Sequence, residues 1–173
     1  MNSFVKIFIP AILIAILLGC NSKSDKDYYD SALKKLEEGK TEDAVKDFDG
    51  LIKEFPKSDL SRLAMYKMGS LYQGNLISSV NPQESMKKAV DYFQKVYNQD
   101  PSKPEAPNAL FMAAFIMANE MKDYSSAAKT YRTFLEKYPS HDLASSAKAE
   151  LNYLGKSPEE ILKENVASEE IKK

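Results

Sequence analysis

Three segments of this 173-residue chain repeat one pattern around a proline. They are AVKDFDGLIKEFPKS from Ala44, AVDYFQKVYNQDPSK from Ala89 and AAKTYRTFLEKYPSH from Ala127. In each, an aromatic residue lies four places after the first alanine, two apolar residues lie at the seventh and eighth places, and the proline lies at the twelfth. This spacing places the apolar residues on one face of a helix that the proline ends.

The repeat predicts an all-helical chain, because a new helix can begin after each proline and pair with the one before it. Ser58 and Ser140 are placed to cap two of the helices, and Asn81 and Ser157 each stand before a proline, as N-caps often do. The predicted spans are 26–38, 41–55, 58–74, 82–99, 104–121, 123–138, 141–154 and 158–166.

The repeat spacing is irregular. Ala44 and Ala89 are 45 residues apart, whereas Ala89 and Ala127 are 38 residues apart. The excess in the first interval lies near GNLISSVN, from Gly74 to Asn81, and predicts a longer loop there.

The pattern resembles the tetratricopeptide repeat, a pair of helices with a small residue and a tyrosine in the first helix and an alanine, an aromatic and a closing proline in the second. Gly69 and Tyr72 match the first-helix pair, and Ala32 and Gly39 match in the preceding repeat. The resemblance implies a right-handed α-solenoid of stacked antiparallel helix pairs over residues 27–164, with about three repeats and a partial fourth. Residues 165–173 have few apolar side chains and are predicted to fray.

The N-terminus carries a second strong feature. An apolar run from Ile7 to Leu18 follows Lys6 and ends in Gly19-Cys20. The run is shorter than the roughly 20 residues that a membrane span needs, so residues 1–19 are predicted to be a signal peptide. The alternative interpretation is a single membrane helix that ends in a free thiol.

Leu17-Leu18-Gly19-Cys20 resembles the lipobox of bacterial lipoproteins. The resemblance implies that Cys20 is acylated, that residues 1–19 are removed and that residues 20–26 tether the domain to a membrane. By resemblance to the sorting rule of enteric bacteria, the absence of Asp next to Cys20 implies the outer membrane, most simply its periplasmic face. Cys20 is the only cysteine, so no thiol remains for a disulfide.

No residue set predicts catalysis, a metal site or a cofactor. His141 is the only histidine, which excludes a histidine cluster. Ser140, His141 and Asp142 are adjacent and are predicted to form a helix start instead of a triad, because triads are assembled from separated parts of a fold. Without residues 1–19, 23 basic and 25 acidic side chains remain, and this balance does not favour nucleic acid.

Binding residues are predicted from register. In the tetratricopeptide family the first helix of each pair lines a concave groove, and the resemblance places five candidates there: Tyr29, Tyr66, Ser70, Gln73 and Asn119. Tyrosine and amide groups suit the recognition of an extended peptide. The alternative interpretation is that these are ordinary half-exposed helix residues. Phe48, Phe93, Tyr131 and Phe134, and also Met112, Met117 and Met121, are predicted to pack in the core.

The leading hypothesis is a lipid-anchored scaffold that binds an envelope protein or an extended peptide segment. The strings EFPKSDLSRLAMYKMGSLY and KYPSHDLASSAKAEL resemble a repeat variant of periplasmic proteins such as BamD, which serves outer-membrane β-barrel assembly, and CpoB, which coordinates Tol–Pal. The resemblance to BamD implies an assembly role. Tol–Pal coordination, an enzyme and a small-ligand-binding protein are the alternatives.

Overall fold

The structure, a computed structural model, describes residues 23–157 and 159–163. It contains seven α-helices in this part of the chain: α1 (Asp25–Glu37), α2 (Thr41–Glu54), α3 (Asp59–Gln73), α4 (Pro82–Gln99), α5 (Glu105–Asn119), α6 (Tyr124–Lys137) and α7 (Ala144–Tyr153). Residues 159–163 are helical as well, and the described residues contain no strand. The predicted signal peptide, Cys20 and the predicted tail 165–173 lie outside the described residues.

Side-chain caps begin four of these helices. Ser24 and Asp27 form a reciprocal capping box at α1, so this helix starts two residues before the predicted domain boundary at residue 27. The predicted caps of α3 and α4 are confirmed: Ser58 accepts a hydrogen bond from the Leu60 amide at 3.1 Å, and Asn81 accepts one from the Glu84 amide at 3.0 Å. Asp123, which was not predicted, caps α6 in the same way.

The helices stack as antiparallel pairs in two layers. Helix α1 packs on α2, α3 on α4 and α5 on α6, while α7 packs on α6. In addition α1 contacts α3, and α3 contacts α5. The odd-numbered helices α1, α3 and α5 therefore form one layer, here called the inner layer, and the even-numbered helices form the outer layer. This arrangement is a helical repeat solenoid, as predicted.

The repeated alanines and aromatics form the core between the layers. Ala44, Ala89 and Ala127 are fully buried, which allows the neighbouring helix to approach closely. Phe48, Phe93, Tyr131 and Phe134 fill the space beside them and are also buried, so their predicted core placement is confirmed.

The long loop between α3 and α4 is confirmed. Ile77 is buried in the core, although the residues around it are exposed. The Glu42 carboxylate on α2 accepts hydrogen bonds from the Ser78 amide at 3.2 Å and from the Ser78 hydroxyl at 2.5 Å. These contacts tie the inserted loop to the first helix pair.

The predicted start of the seventh helix is wrong. Helix α7 begins at Ala144, and Ser140 does not cap it. Instead the backbone makes two successive turns, in which the His141 amide donates to the Tyr138 carbonyl at 3.1 Å and the Ala144 amide donates to the His141 carbonyl at 2.8 Å. His141 Nδ1 accepts a hydrogen bond from the Leu143 amide at 3.2 Å, so the histidine side chain supports the turn before α7, and the helix itself has no side-chain cap.

The start signal at residue 157 is confirmed on the described residues. The Ser157 amide donates to the Glu160 carboxylate at 2.7 Å, and the Glu160 amide donates to the Ser157 hydroxyl at 3.3 Å. Of the predicted core methionines, Met117 is buried and Met112 packs against the core, but Met121 is exposed because it follows the end of α5.

Among the described residues, every helix is too short or too polar to cross a bilayer.

Candidate functional site

Equivalent positions on the inner-layer helices carry aromatic residues. Ala32, Gly69 and Ala114 are buried small residues of α1, α3 and α5, and an aromatic residue lies three places before each. These aromatics are Tyr29, Tyr66 and Phe111. Phe111 is buried against Tyr131 and Phe134, whereas the two tyrosines remain half-buried. At this position the first two repeats thus have a half-buried tyrosine, whereas the third has a phenylalanine that belongs to the core.

Both tyrosine rings rest on core phenylalanines. The Tyr29 and Phe48 ring centroids are 5.9 Å apart, and those of Tyr66 and Phe93 are 5.5 Å apart. Neither tyrosine hydroxyl has a hydrogen-bond partner within the described residues. Each ring is therefore held in place by packing, while its polar end remains available to a ligand.

A buried arginine joins α3 to α5 beside these tyrosines. Arg62 is only 5% exposed, and its Nε donates to the Glu105 carboxylate at 3.1 Å. Its Nη1 donates to Asp59 at 2.5 Å, and Lys103 lies 3.1 Å from the same Asp59 oxygen. The network pairs the buried charge and fixes the positions of the two inner helices.

The Glu105 carboxylate acts electrostatically on both tyrosines. Burial, followed by the charges of Asp30 and Glu105, raises the pKa of Tyr29. Burial, followed by the charge of Glu105, raises the pKa of Tyr66. Helix α1 contacts α3, and Arg62 of α3 bonds Glu105 at the start of α5, so these three segments are neighbours in the inner layer.

The remaining predicted residues lie along the same layer. Tyr66, Ser70 and Gln73 follow one another at helical spacing on one face of α3. The Ser70 hydroxyl is exposed and donates to the Tyr66 carbonyl at 3.1 Å. Gln73 is half-buried. The structure thus brings Tyr29, Tyr66, Ser70 and Gln73 onto neighbouring helices of the inner layer.

Asn119 lies apart from these four, at the C-terminal end of α5. Its Nδ2 donates to the Phe115 carbonyl at 3.2 Å. It lines an open crevice of about 310 Å³ together with Tyr124 and Glu150. The crevice lies where the ends of α5 and α7 meet the start of α6.

Sequence reasoning missed most of the α5 surface. Asn108, Met112, Phe115 and Asn119 are the residues of α5 after its first that are not fully buried, and their spacing places them on one face. Only Asn119 was predicted to bind. The signal is weak because α5 is apolar almost all round, so no polar face marks its exposed stripe.

Two observations concern metal binding and the adjacent Ser140, His141 and Asp142. No group of three or more His, Cys, Asp or Glu side chains in the described part of the chain could hold a metal ion. The imidazole of His141 is engaged in the turn before α7. The inner layer is the surface of greatest interest, and its residues are suited to binding.

The stacked helix pairs define the fold class of a helical-repeat solenoid. Two segments of the chain, residues 28–58 and 108–141, match the family described as Tetratricopeptide repeat. They correspond to the α1–α2 and α5–α6 pairs and support a tetratricopeptide repeat protein. The unmatched α3–α4 pair contains the inserted loop. A search of curated proteins finds no match to the chain.

Proposed function

We propose that this protein is a lipid-anchored scaffold of a bacterial outer membrane whose inner layer binds an extended segment of another envelope protein. The observation that carries the proposal is the row of half-buried side chains along the inner layer, from Tyr29 through Tyr66 to Met112 and Phe115. Repeats of this kind generally bind peptides or proteins.

The chemistry of the row fits an extended chain. Tyr29 and Tyr66 are fixed by core contacts, so little side-chain entropy is lost when a ligand covers them. Asn108 and Asn119 provide amide groups beside the apolar Met112 and Phe115. Such a surface can bury apolar side chains of a peptide and also pair with its backbone.

The envelope location is supported by the sequence alone. Leu17-Leu18-Gly19-Cys20 has the residues of a lipobox, and the apolar run before it is short for a membrane span. A role in β-barrel assembly, like that of BamD, is supported by the repeat variant that includes EFPKSDLS. We therefore propose a β-barrel assembly component as the partner.

In-cell photo-crosslinking of the full chain tests the proposal. A crosslinking amino acid replaces Tyr66 on the inner layer, and the matched control carries it at Lys46, an exposed residue of the outer-layer helix α2. Reproducible capture of a β-barrel assembly component at Tyr66, without capture at Lys46, supports the proposal. Capture of a Tol–Pal component instead favours that alternative. Absence of capture at both positions contradicts the scaffold role.

A pair of substitutions separates a scaffold from an enzyme. With the crosslinking amino acid moved to Ser70, which is exposed on the same face of α3, a scaffold should lose its crosslinked partner in Tyr66→Ala and keep it in His141→Ala, since His141 is used in a local turn. Loss of cellular function in His141→Ala, with normal thermal stability and partner capture, would favour an enzyme.

A further inference from the structure

Tyrosine rings in this protein hold lysine ammonium groups at several places. The distance from the lysine Nζ to the ring centroid is 4.9 Å for Lys23 and Tyr28, 5.3 Å for Lys88 and Tyr72, and 5.0 Å for Lys95 and Tyr92. Tyr29 and Tyr66 have no such cation among the described residues. These two rings can therefore accept a cation from another molecule.

The charges that act on the two inner-layer tyrosines are negative. Asp30 directly follows Tyr29 in α1, and Glu105 bonds Arg62, which lies one turn before Tyr66 on α3. These carboxylates also contribute to the raised pKa of the two phenols, after burial. Lys26 pairs with Asp30 and lies one turn before it on the same helix, α1. Near Tyr66 the only cation that contacts Glu105 within the described residues is Arg62, which is buried and shares its charge between two carboxylates.

The Glu105 carboxylate also retains an unused oxygen. Arg62 donates to Oε2, and Oε1 has no partner in the described part of the chain. The Glu105 side chain is partly exposed, so Oε1 is able to accept a hydrogen bond from a ligand. Tyr29 lies on α1, which contacts α3, and Tyr66 lies one turn after Arg62 on α3, which bonds Glu105 at the start of α5. Two phenol oxygens, two aromatic rings and one carboxylate oxygen are thus available on neighbouring segments of the inner layer.

We propose that the surface formed by Tyr29, Tyr66 and Glu105 binds the side chain of a lysine or arginine in the extended segment that occupies the inner layer. This inference rests on the proposed function, because it assumes that the segment lies along this layer. The cation donates to Glu105 and to the phenol oxygens, and its charge is attracted by the faces of the two rings. The site therefore determines which residue of the partner occupies the first two repeats.

Binding of matched peptides to the full chain in detergent micelles tests this site. The probes are short fluorescein-labelled peptides of serine, alanine and threonine that differ at one central position, which is lysine, arginine, norleucine or glutamate. Fluorescence anisotropy should show the lysine and arginine peptides binding about fivefold more tightly than the norleucine peptide. The glutamate peptide should bind most weakly.

Variants assign the preference to the proposed residues. Tyr66→Leu and Glu105→Gln should reduce the preference for lysine over norleucine to less than about twofold, whereas Tyr66→Phe, which keeps the ring, should retain most of it. The matched control is Tyr97→Leu, which removes a half-buried tyrosine of the outer-layer helix α4. Thermal unfolding of each variant verifies the fold, since Glu105→Gln also changes the partner of Arg62.

The outcomes separate this site from the function on which it rests. Equal binding of all the peptides, or tighter binding of the glutamate peptide, overturns the basic-residue site and leaves a peptide-binding inner layer in place. No peptide binding by a protein whose Tyr66 position still crosslinks a partner overturns the site alone. No peptide binding and no crosslinking contradict both proposals.

Discussion

At the residue scale, the buried hydroxyl of Tyr131 is an exception in a well-packed core. Tyr131 is fully buried, its hydroxyl has no hydrogen-bond partner in the described structure, and Phe48 and Phe93 occupy the equivalent positions. Removing an unpaired buried hydroxyl relieves its desolvation cost. We expect Tyr131→Phe to leave the free energy of unfolding unchanged or to raise it by about 1 kcal/mol, as measured by urea unfolding.

Tyr92 provides the matched control. Its hydroxyl donates to the Asp49 carboxylate at 2.9 Å, and its ring stacks on Tyr72. Tyr92→Phe keeps the ring and loses the hydrogen bond, so we expect it to lower the free energy of unfolding by about 1 kcal/mol. An equal decrease in the free energy of unfolding of both variants would show that the Tyr131 hydroxyl does have a hydrogen-bond partner.

The buried carboxylate of Asp47 makes the stability of the first helix pair depend on pH. Asp47 is 7% exposed and accepts hydrogen bonds from Ser31 at 2.5 Å and from Lys35 at 2.6 Å. Burial alone would raise its pKa, but the hydrogen bonds from Lys35 and Ser31 outweigh burial and hold the pKa below the ordinary 3.8. Its contribution to stability is therefore present well above pH 3.8 and is lost as the pH falls through the lower pKa of the folded state.

Asp47→Asn tests this dependence. At neutral pH we expect the free energy of unfolding of the variant to be about 1–3 kcal/mol lower than that of the wild type, because Lys35 loses its buried partner. The difference in free energy of unfolding between variant and wild type should become smaller in acid, because the wild-type carboxylate also becomes neutral there. Urea unfolding at pH 7 and near pH 3 measures it, with Asp43→Asn as an exposed control that should change little. A difference of the same size at both pH values would contradict the assignment.

At the element scale, the contact between α3 and α4 depends on the absence of a side chain at Gly69. A Cβ atom built there would lie 2.9 Å from two atoms of the Phe93 ring, which is itself fully packed in the core. Alanine would gain about 0.5–1 kcal/mol of helix propensity but would overpack the contact at a cost of about 1–3 kcal/mol. We therefore expect Gly69→Ala to lower the thermal midpoint.

A double-mutant cycle identifies the cause. Phe93→Leu removes the ring that the new methyl group meets, so the loss in Gly69→Ala should be smaller in the Phe93→Leu background than in the wild type. Ser70→Ala, at the exposed neighbouring position, is the control and should change the midpoint little. Strictly additive effects of the two substitutions would show that the close contact with Phe93 is not the source of the loss.

The sequence predicts the helix pairs and two of their caps, but it does not predict every helix end. The paired helices follow from periodicity, and the caps at Ser58 and Asn81 follow from residue preference. The start of α7 does not, because two successive backbone turns and the His141 side chain precede the helix, and the preference of Ser140 for a helix cap does not indicate them. Met121 was misplaced for a related reason, since periodicity does not determine the residue at which α5 ends.

The inner layer was predicted only in part for a physical reason. Register on Ala32 and Gly69 locates Tyr29 and Tyr66, because α1 and α3 have distinct polar and apolar faces. Helix α5 packs against α3, α4 and α6 at once and is apolar almost throughout, so its pattern does not show which side is left open. The pairing of Arg62 with Glu105 spans two repeats, and no local pattern in the sequence indicates it.

At the scale of the whole molecule, the proposed anchor and the inner layer belong to one short chain. If Cys20 carries the lipid, only four residues separate it from the first residue of α1, Asp25. At no more than about 3.6 Å per residue, the start of α1 would lie within about 18 Å of the Cys20 backbone. Lys23, within this segment, already contacts the Tyr28 ring and lies 3.6 Å from Asp47. The proposed partner would accordingly be held close to the membrane surface.

Lipidation of Cys20 is the condition for this arrangement and can be tested directly. Mass spectrometry of the protein purified from membranes should find an N-terminal peptide that begins at Cys20 and carries acyl groups, because the cysteine sulfur is the nucleophile that takes the lipid. Metabolic labelling with a fatty acid should be lost in Cys20→Ser and should not return when Asn21→Cys moves the thiol by one place. An intact N-terminus at Met1 with an unmodified Cys20 would contradict the lipid anchor and favour the alternative of a membrane helix, while the helical repeat would be unaffected.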